Sequence, residues 1–178
     1  MIDDTVRYAT DRAVLCWLAT VSEHGTPNVS PKELWRVHDH ATVLIADIAS
    51  GGSVRNLRIN PACCVSFVDV FRQKGFKLTG AALVIGRKDD DFEHVSAPLR
   101  AVAGNRFPVR NVIAVTVEHV APILAPSYAL HNASEEEMMA DAFKAYSVKP
   151  IAVGTGTGFP LYGNDGERRG NGGPQGSF

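Results

Sequence analysis

The sequence predicts a mainly β protein of the α+β class, a six-stranded antiparallel β-barrel with peripheral helices. Three observations carry this. Six short stretches rich in β-branched and aromatic residues are separated by tight turns. Helical patterning enters between them at only two places, and again near each end of the chain. Alternating βαβ units are absent, which excludes a doubly wound nucleotide fold. No Gly-x-Gly-x-x-Gly or P-loop spacing follows a strand.

The elements follow in order. Asp3 to Ala13 reads as a short helix whose Val6, Ala9 and Ala13 share one face. Cys16 to Val21 is a strand, and Ser22-Glu23-His24-Gly25 is a turn with glycine where a positive φ is expected. Thr26 to Lys32 is a strand that carries Pro27 and Pro31. Proline cannot donate to a ladder, so this strand belongs at an edge, a start or a bulge. Leu34 to Val37 continues its path, and His38-Asp39-His40 turns into the strand Thr42 to Ala46. Strands follow at Cys63 to Val70 and at Phe76 to Ile85, the second closed by Gly86.

Asp89-Asp90-Asp91 opens a helix with Phe92, Val95 and Leu99 on one side. Pro98 interrupts or bends it and Gly104 ends it. Val109 to Val120 is the last strand. Ser134 followed by Glu137 matches a capping box, and the helix it starts places Met139, Ala142, Phe143 and Tyr146 at helical spacing. That stripe reads as core or dimer surface. Residues 1–150 form the expected domain and 151–178 a Gly-rich tail. Within the tail, Gly154 to Gly158 reads as linker and Gly163 to Phe178 as disordered.

The stretch from Ile45 to Pro61 is the most informative. A strand end is followed by Gly51-Gly52, then by Ser53 as the expected N-cap of a short helix. Val54 and Leu57 share a face of that helix, and Asn60 before Pro61 stops it. Orphan amides at a helix start, with Arg55 and Arg58 near, make an anion cradle. A capped crossover helix with solvated arginines is the plainer reading of the same residues.

Composition sets outer bounds. Of 178 residues, 45% are hydrophobic and 21% charged, as in an ordinary globular domain with a real core. A net charge of -1 gives no basis for broad nucleic-acid binding. No apolar run reaches the roughly 18 residues of a membrane span, and Met1 to Arg12 lacks a signal-peptide core. Cys16, Cys63 and Cys64 lack Cys-x-x-Cys spacing and read as reduced packing residues of a cytoplasmic protein.

Isolated chemistry candidates are weak. His38 and His40 flank a turn aspartate with no third ligand near, so no metal site is expected. Ser30 and Ser127 lack nucleophile-elbow spacing. Asp69 is expected on the barrel exterior. Lys32 ends a strand and is expected to point toward the loop of Ser53 and Arg55.

Taken together, several segments resemble a known family. Trp17-Leu18-Ala19-Thr20-Val21 with Gly25-Thr26-Pro27-Asn28-Val29-Ser30-Pro31-Lys32 resembles the first hairpin of the pyridoxamine 5'-phosphate oxidase-like family, the FMN-binding split barrels. Leu44-Ile45-Ala46-Asp47 followed by Ser53-Val54-Arg55-Asn56-Leu57-Arg58-Ile59-Asn60-Pro61 resembles its flavin-phosphate segment. Gly75-Phe76-Lys77-Leu78-Thr79-Gly80 resembles the next strand.

The resemblance implies that the six-stranded antiparallel barrel is a split β-barrel and that the protein is a homodimer with FMN at the interface. Ser30, Pro31 and Lys32 would lie along the flavin and its phosphate. Asp47 and Ile48 would approach the flavin through backbone, and Ser53, Arg55 and Asn56 would hold phosphate or ribityl groups. The sequence departs from the pattern at Ser53, where many members carry lysine, and near Gly75, where the true oxidases carry a flavin-contacting glutamine. The tail has no counterpart of the segment that serves their pyridoxal substrate. The resemblance therefore implies an FMN-dependent oxidoreductase acting with a small-molecule electron donor or acceptor, and not vitamin-phosphate oxidation. A non-enzymatic flavin carrier or sensor, and a structural dimer without cofactor, are the alternatives.

Overall fold

The structure, a computed structural model, describes residues 1–104 and 107–151. In chain order it contains α1 (Asp4–Thr10), β1 (Cys16–Val21), β2 (Pro27–Lys32), β3 (Trp35–Val37), β4 (Thr42–Asp47) and α2 (Gly51–Ile59). Then come β5 (Ala62–Asp69), β6 (Lys74–Gly86), α3 (Phe92–Ala103), β7 (Asn111–Leu124), α4 (Pro126–Leu130) and α5 (Glu135–Ala145). The strands form one sheet in the order β2-β1-β5-β6-β7-β4-β3, antiparallel at every pairing.

The sheet has seven strands where six were expected. The path after Lys32 does not continue along β1. It turns at Glu33-Leu34, and Trp35–Val37 pairs with β4 instead. The Leu34 carbonyl accepts the Ala46 N–H at 2.9 Å and extends that pairing. The two outer strands are thus two residues apart in sequence, and a sheet whose edges are joined so closely has to curl. A bulge between Thr79 and Gly80 bends the long β6–β7 hairpin. Only glycine fits there, because a Cβ on Gly80 would lie 1.9 Å from the Thr116 carbonyl oxygen. The result is a curled half-barrel with helices around it.

Two cores follow from this shape. Leu18, Val43, Ile45, Val65, Phe67, Leu78, Ile113 and Val115 fill the barrel, with Val6 of α1 and Val54 and Leu57 of α2 packed into the same cluster. Leu44, Ala46, Ile85 and Val112 face the other way, against Phe92 and Leu99 of α3. Strand β4 and the first residues of β7 are therefore covered on both faces, which is why Thr42–Asp47 and Val112–Val115 run apolar rather than alternate. Pro98 lies inside α3 without ending it, and Gly104 follows with φ 59°. The prolines of β2 sit at a sheet edge, as a missing donor requires. Among the described residues no helix is long and apolar enough to cross a membrane.

Several expectations change. Asp69 is buried rather than exterior. Its Oδ1 accepts the N–H groups of Phe71 and Arg72 at 3.0 Å, and its Oδ2 accepts Arg72 Nη1 at 2.9 Å. A buried carboxylate is tolerable only with such donors. In α5 the capping box is present, but Met138 and Ala142 are the buried pair rather than Met139 and Ala142. Phe143 and Tyr146 meet Phe71, with ring centroids 5.0 and 6.2 Å apart. The helix is fixed at its start by Glu135, which accepts from Arg72 Nε at 3.2 Å and Lys74 Nζ at 2.6 Å. Helix α4 has no counterpart among the expected elements because five residues carry no period. It places Tyr128 Oη 2.6 Å from the Arg72 carbonyl that accepts from it.

Cys16 and Cys63 are buried, Cys64 is half-buried, and all three are free thiols. Burial pushes the Cys63 thiol up to about 12, so it packs rather than reacts. The linker and disordered segment expected within 151–178 lie outside the described residues.

The Glu135 cluster gives the fold an acid-sensitive brace. The Lys74 hydrogen bond, more than burial opposes it, holds the Glu135 carboxyl below its ordinary value. A carboxyl depressed in the folded state stabilises fully above its unfolded pKa, and that contribution drains as pH falls through the folded value. The pair is largely solvent-screened, so the effect is at most about 1 kcal/mol. Urea unfolding of Glu135→Gln should show a loss of that size at neutral pH that closes below the carboxylate range. A loss that persists unchanged in acid would contradict the brace.

Candidate functional site

The site grows from the alternation of one strand. Along β2, residues Asn28, Ser30 and Lys32 project to the same side. Ser50, Ser53 and Asn56 lie three apart along the start of α2 and share one helix face. The two rows meet. Lys32 Nζ donates to Ser50 Oγ. Ser30 Oγ and Ser53 Oγ share a hydrogen bond at 3.3 Å, and Asn28 Nδ2 donates to Ser53 Oγ at 3.3 Å. Thr20 Oγ1 of β1 accepts from both Asn28 Nδ2 and Asn56 Nδ2 at 3.1 Å. This polar seam docks α2 on the sheet edge while Val54 and Leu57 enter the core.

Ser53 is not the N-cap. The helix begins at Gly51, with Ser50 in the cap position and no side-chain cap bond. The cause is Asp47, whose Oδ1 accepts the Ser50 N–H at 2.8 Å and starts the turn three residues early. Ser53 then falls inside the helix and is 2% exposed. Gly51 and Gly52 form the first helical turn rather than a loop. A Cβ on either would meet nothing within 4 Å, so neither position requires glycine for want of space.

Asp47 is itself 3% exposed. Its Oδ2 accepts Asn111 Nδ2 at 2.6 Å, and its carbonyl accepts the Arg110 N–H at 2.8 Å. Lys32 is 4% exposed and sits within reach of the Asp47 charge. Burial lowers the Lys32 pKa from the ordinary lysine value, and Asp47 and then Cys16 oppose that shift. Beside Lys32 and Ser50 opens a cavity of about 740 Å³. Its walls come from the β2–β3 kink, from Ala46 to Ser50 and from the end of α3, with Phe107 near the rim. Lys32 and Glu33 are the ionisable side chains of this lining.

The eight residues singled out in the sequence divide accordingly. Pro31, Lys32 and Ile48 line the cavity. Asp47 lies beneath it and holds Ser50. Ser30, Ser53 and Asn56 form the seam. Arg55 is exposed on α2 and has no ion pair among the described residues. The structure adds Thr20, Asn28, Ser50 and Asn111. Asn28 is visible in the alternation of β2 and Ser50 in the spacing from Ser53. Thr20 and Asn111 carry no local signal and enter only through strand register. His38 faces His94 with ring centroids 6.4 Å apart, and no group of three metal-ligating side chains occurs among the described residues.

A family model described as pyridoxamine 5'-phosphate oxidase matches residues 2–123, from α1 to the end of the barrel. The chain belongs to the pyridoxamine 5'-phosphate oxidase family. Solved structures agree with that placement. HupZ of Group A Streptococcus superposes with a TM-score of 0.59 at 26% identity, covering 67% of this chain and 92% of its own. An FMN-binding protein from Syntrophomonas wolfei shares the fold at 14% identity and TM-score 0.57, over 67% of this chain and 84% of that one. HutZ, the haem storage protein from Vibrio cholerae, does so at 18% identity and TM-score 0.52, over 65% and 89%. No curated protein matches. The family's fold is thus present here from α1 to the end of β7.

Thr20 is the acceptor on which two amide donors of the seam converge. Thr20→Val keeps the shape, leaves the buried Asn56 Nδ2 without its acceptor and leaves Asn28 Nδ2 with Ser53 Oγ alone. A buried unpaired donor costs about 1–3 kcal/mol. The denaturation midpoint of Thr20→Val should fall accordingly, with an unchanged m-value. A change under about 0.5 kcal/mol would mean the seam does not hold α2.

Proposed function

We propose that the protein binds FMN and works as a flavin-dependent oxidoreductase of unknown substrate. One observation carries this reading. Lys32 and Ser50, the residue at the start of α2, line a cavity whose other walls are mostly apolar. An anionic group is favoured beside them by the lysine charge and the helix dipole. A flat apolar ring is favoured against Pro31, Leu34 and Ile48.

FMN, when bound, would supply the redox chemistry. The chain's own residues bind, orient and exclude water. Lys32 and the α2 amides would hold phosphate, with Arg55 as a second cation. Asp47 holds Ser50 and, through it, the orientation of Lys32. Ser30, Ser53 and Asn56 satisfy one another and Thr20 in the seam, so they would serve FMN by holding α2 against β2. The FMN-binding relative from Syntrophomonas wolfei is consistent with this assignment.

A flavin carrier or sensor is the second reading, favoured by the lack of any ionisable cavity side chain besides Lys32 and Glu33 among the described residues. No group there is poised as an acid or base. Turnover of a reduced nicotinamide by the flavin-loaded protein separates the two. A cytoplasmic setting accords with the three free thiols.

Lys32→Ala should weaken FMN binding about ten- to a hundred-fold, the worth of one charge-assisted hydrogen bond. Arg55→Ala should have a smaller effect of the same kind. Riboflavin, which lacks the phosphate, should bind the parent and both variants alike. Equal loss of both ligands would refute the phosphate cradle. So would a protein that never quenches flavin fluorescence, or one that purifies with a haem absorption band instead.

Assembly completes the reading. The outward face of β1 and β2 carries Trp17, 45% exposed, beside Val29 and Pro31, a patch that needs cover. We expect a two-fold homodimer through this region with FMN at its interface. Sedimentation at micromolar concentration should give twice the chain mass; a monomer would remove the claim.

A further inference from the structure

Asp47 and Asn111 are cross-strand partners, one at the end of β4 and the other at the start of β7. Asn111 Nδ2 donates to Asp47 Oδ2 at 2.6 Å, and the Ser50 N–H donates to Asp47 Oδ1 at 2.8 Å. Both carboxylate oxygens are thus engaged. Lys32 Nζ donates to Ser50 Oγ, and among the described residues no ion pair joins it to Asp47. Yet the two charges act on each other, and both side chains are almost wholly buried. In such a setting a carboxylate oxygen without a donor would close on the ammonium. Space for the Asn111 amide comes from the strand on its other side. A Cβ on Gly86, its partner in β6, would lie 3.3 Å from Asn111 Oδ1, tighter than an ordinary contact.

We propose that Asn111 keeps Lys32 available to a phosphate monoester by holding the Asp47 carboxylate away from it. This rests on the flavin-phosphate reading of the cavity and assigns its selectivity to Asn111, which is not among the residues that line it. With Asn111 in place, the ammonium spends one of its three donors on Ser50 and keeps two for an incoming anion. Without Asn111, Asp47 Oδ2 has no donor, and turning to Lys32 satisfies both buried charges at once. That ion pair competes with the phosphate for the same ammonium. Asn111 is therefore a positioning residue, which acts on the choice of ligand through Asp47 and Lys32.

The test titrates FMN and riboflavin into the intact protein and reads the quenching of flavin fluorescence. Asn111→Ala should weaken FMN binding about tenfold, the scale of one charge-assisted hydrogen bond, and leave riboflavin binding as it is. Asn111→Leu keeps the bulk without the donor and is measured in parallel, in case the smaller side chain loosens β7. Adding Asp47→Asn removes the competing charge, while its amide oxygen can still accept the Ser50 N–H. The double variant Asn111→Ala/Asp47→Asn should therefore recover most of the lost FMN affinity. A residue that only stabilised the fold would give the opposite, a double variant weaker than the single. FMN affinity unmoved in both Asn111 variants, equal loss of FMN and riboflavin, or a double variant no better than Asn111→Ala overturns the proposal. A parent that prefers FMN to riboflavin, with variants that keep the preference, overturns the role of Asn111 alone. A parent with no such preference overturns the phosphate reading, and the role of Asn111 with it.

Discussion

The structure depends on one constraint: both edges of the sheet come from a single stretch of chain. β2 and β3 stand at opposite ends of the strand order, yet only Glu33 and Leu34 separate them. Seven strands cannot lie flat when their outermost members are covalent neighbours. The sheet curls, and the bulge at Gly80 supplies the sharp bend in its longest hairpin. The barrel interior, the second core under α3 and the double burial of β4 and the start of β7 all follow. So does the position of the cavity, which opens where β2 turns into β3.

Curling brings the inner row of β2 against the start of α2, and the seam that results is polar. Polar groups buried at such a junction need mutual partners, and here each finds one among Thr20, Asn28, Ser30, Ser53 and Asn56. Among the described residues no buried side-chain nitrogen or oxygen lacks a partner. The docking is therefore directional where an apolar contact would slide. It fixes the rotation of α2 and so the direction in which the Gly51–Gly52 amides face.

Lys32 is the exception to self-sufficiency in this seam. An ammonium has three donors, and the one partner found for it is Ser50. Asp47 supplies opposite charge nearby without a direct ion pair, since its oxygens serve Ser50 and Asn111. A buried cation held this loosely favours an incoming anion and, failing one, favours losing its proton. An incoming phosphate is one answer to that imbalance.

The elements themselves were legible in the sequence. Turn chemistry at Ser22–Gly25, prolines that force β2 to an edge, Asn60 before Pro61 and the capping box at Ser134 act within a few residues, and each appears as read. The family was legible too, because its segments survive in order from Trp17 onward. What the sequence left undecided depends on contacts between distant residues. The start of α2 moved from Ser53 to Gly51 because Asp47 caps the turn from the end of β4. The α5 stripe differs by one residue as Glu135 engages Arg72 and Lys74, some sixty positions earlier. Asp69 is buried because the hairpin folds its own amides onto it. Sequence alone determined most of the elements, β3 and α4 excepted, since propensity and turn geometry are local. Only the tertiary structure decided which side chains share the site, because strand register and helix rotation are set by the closure of the whole sheet.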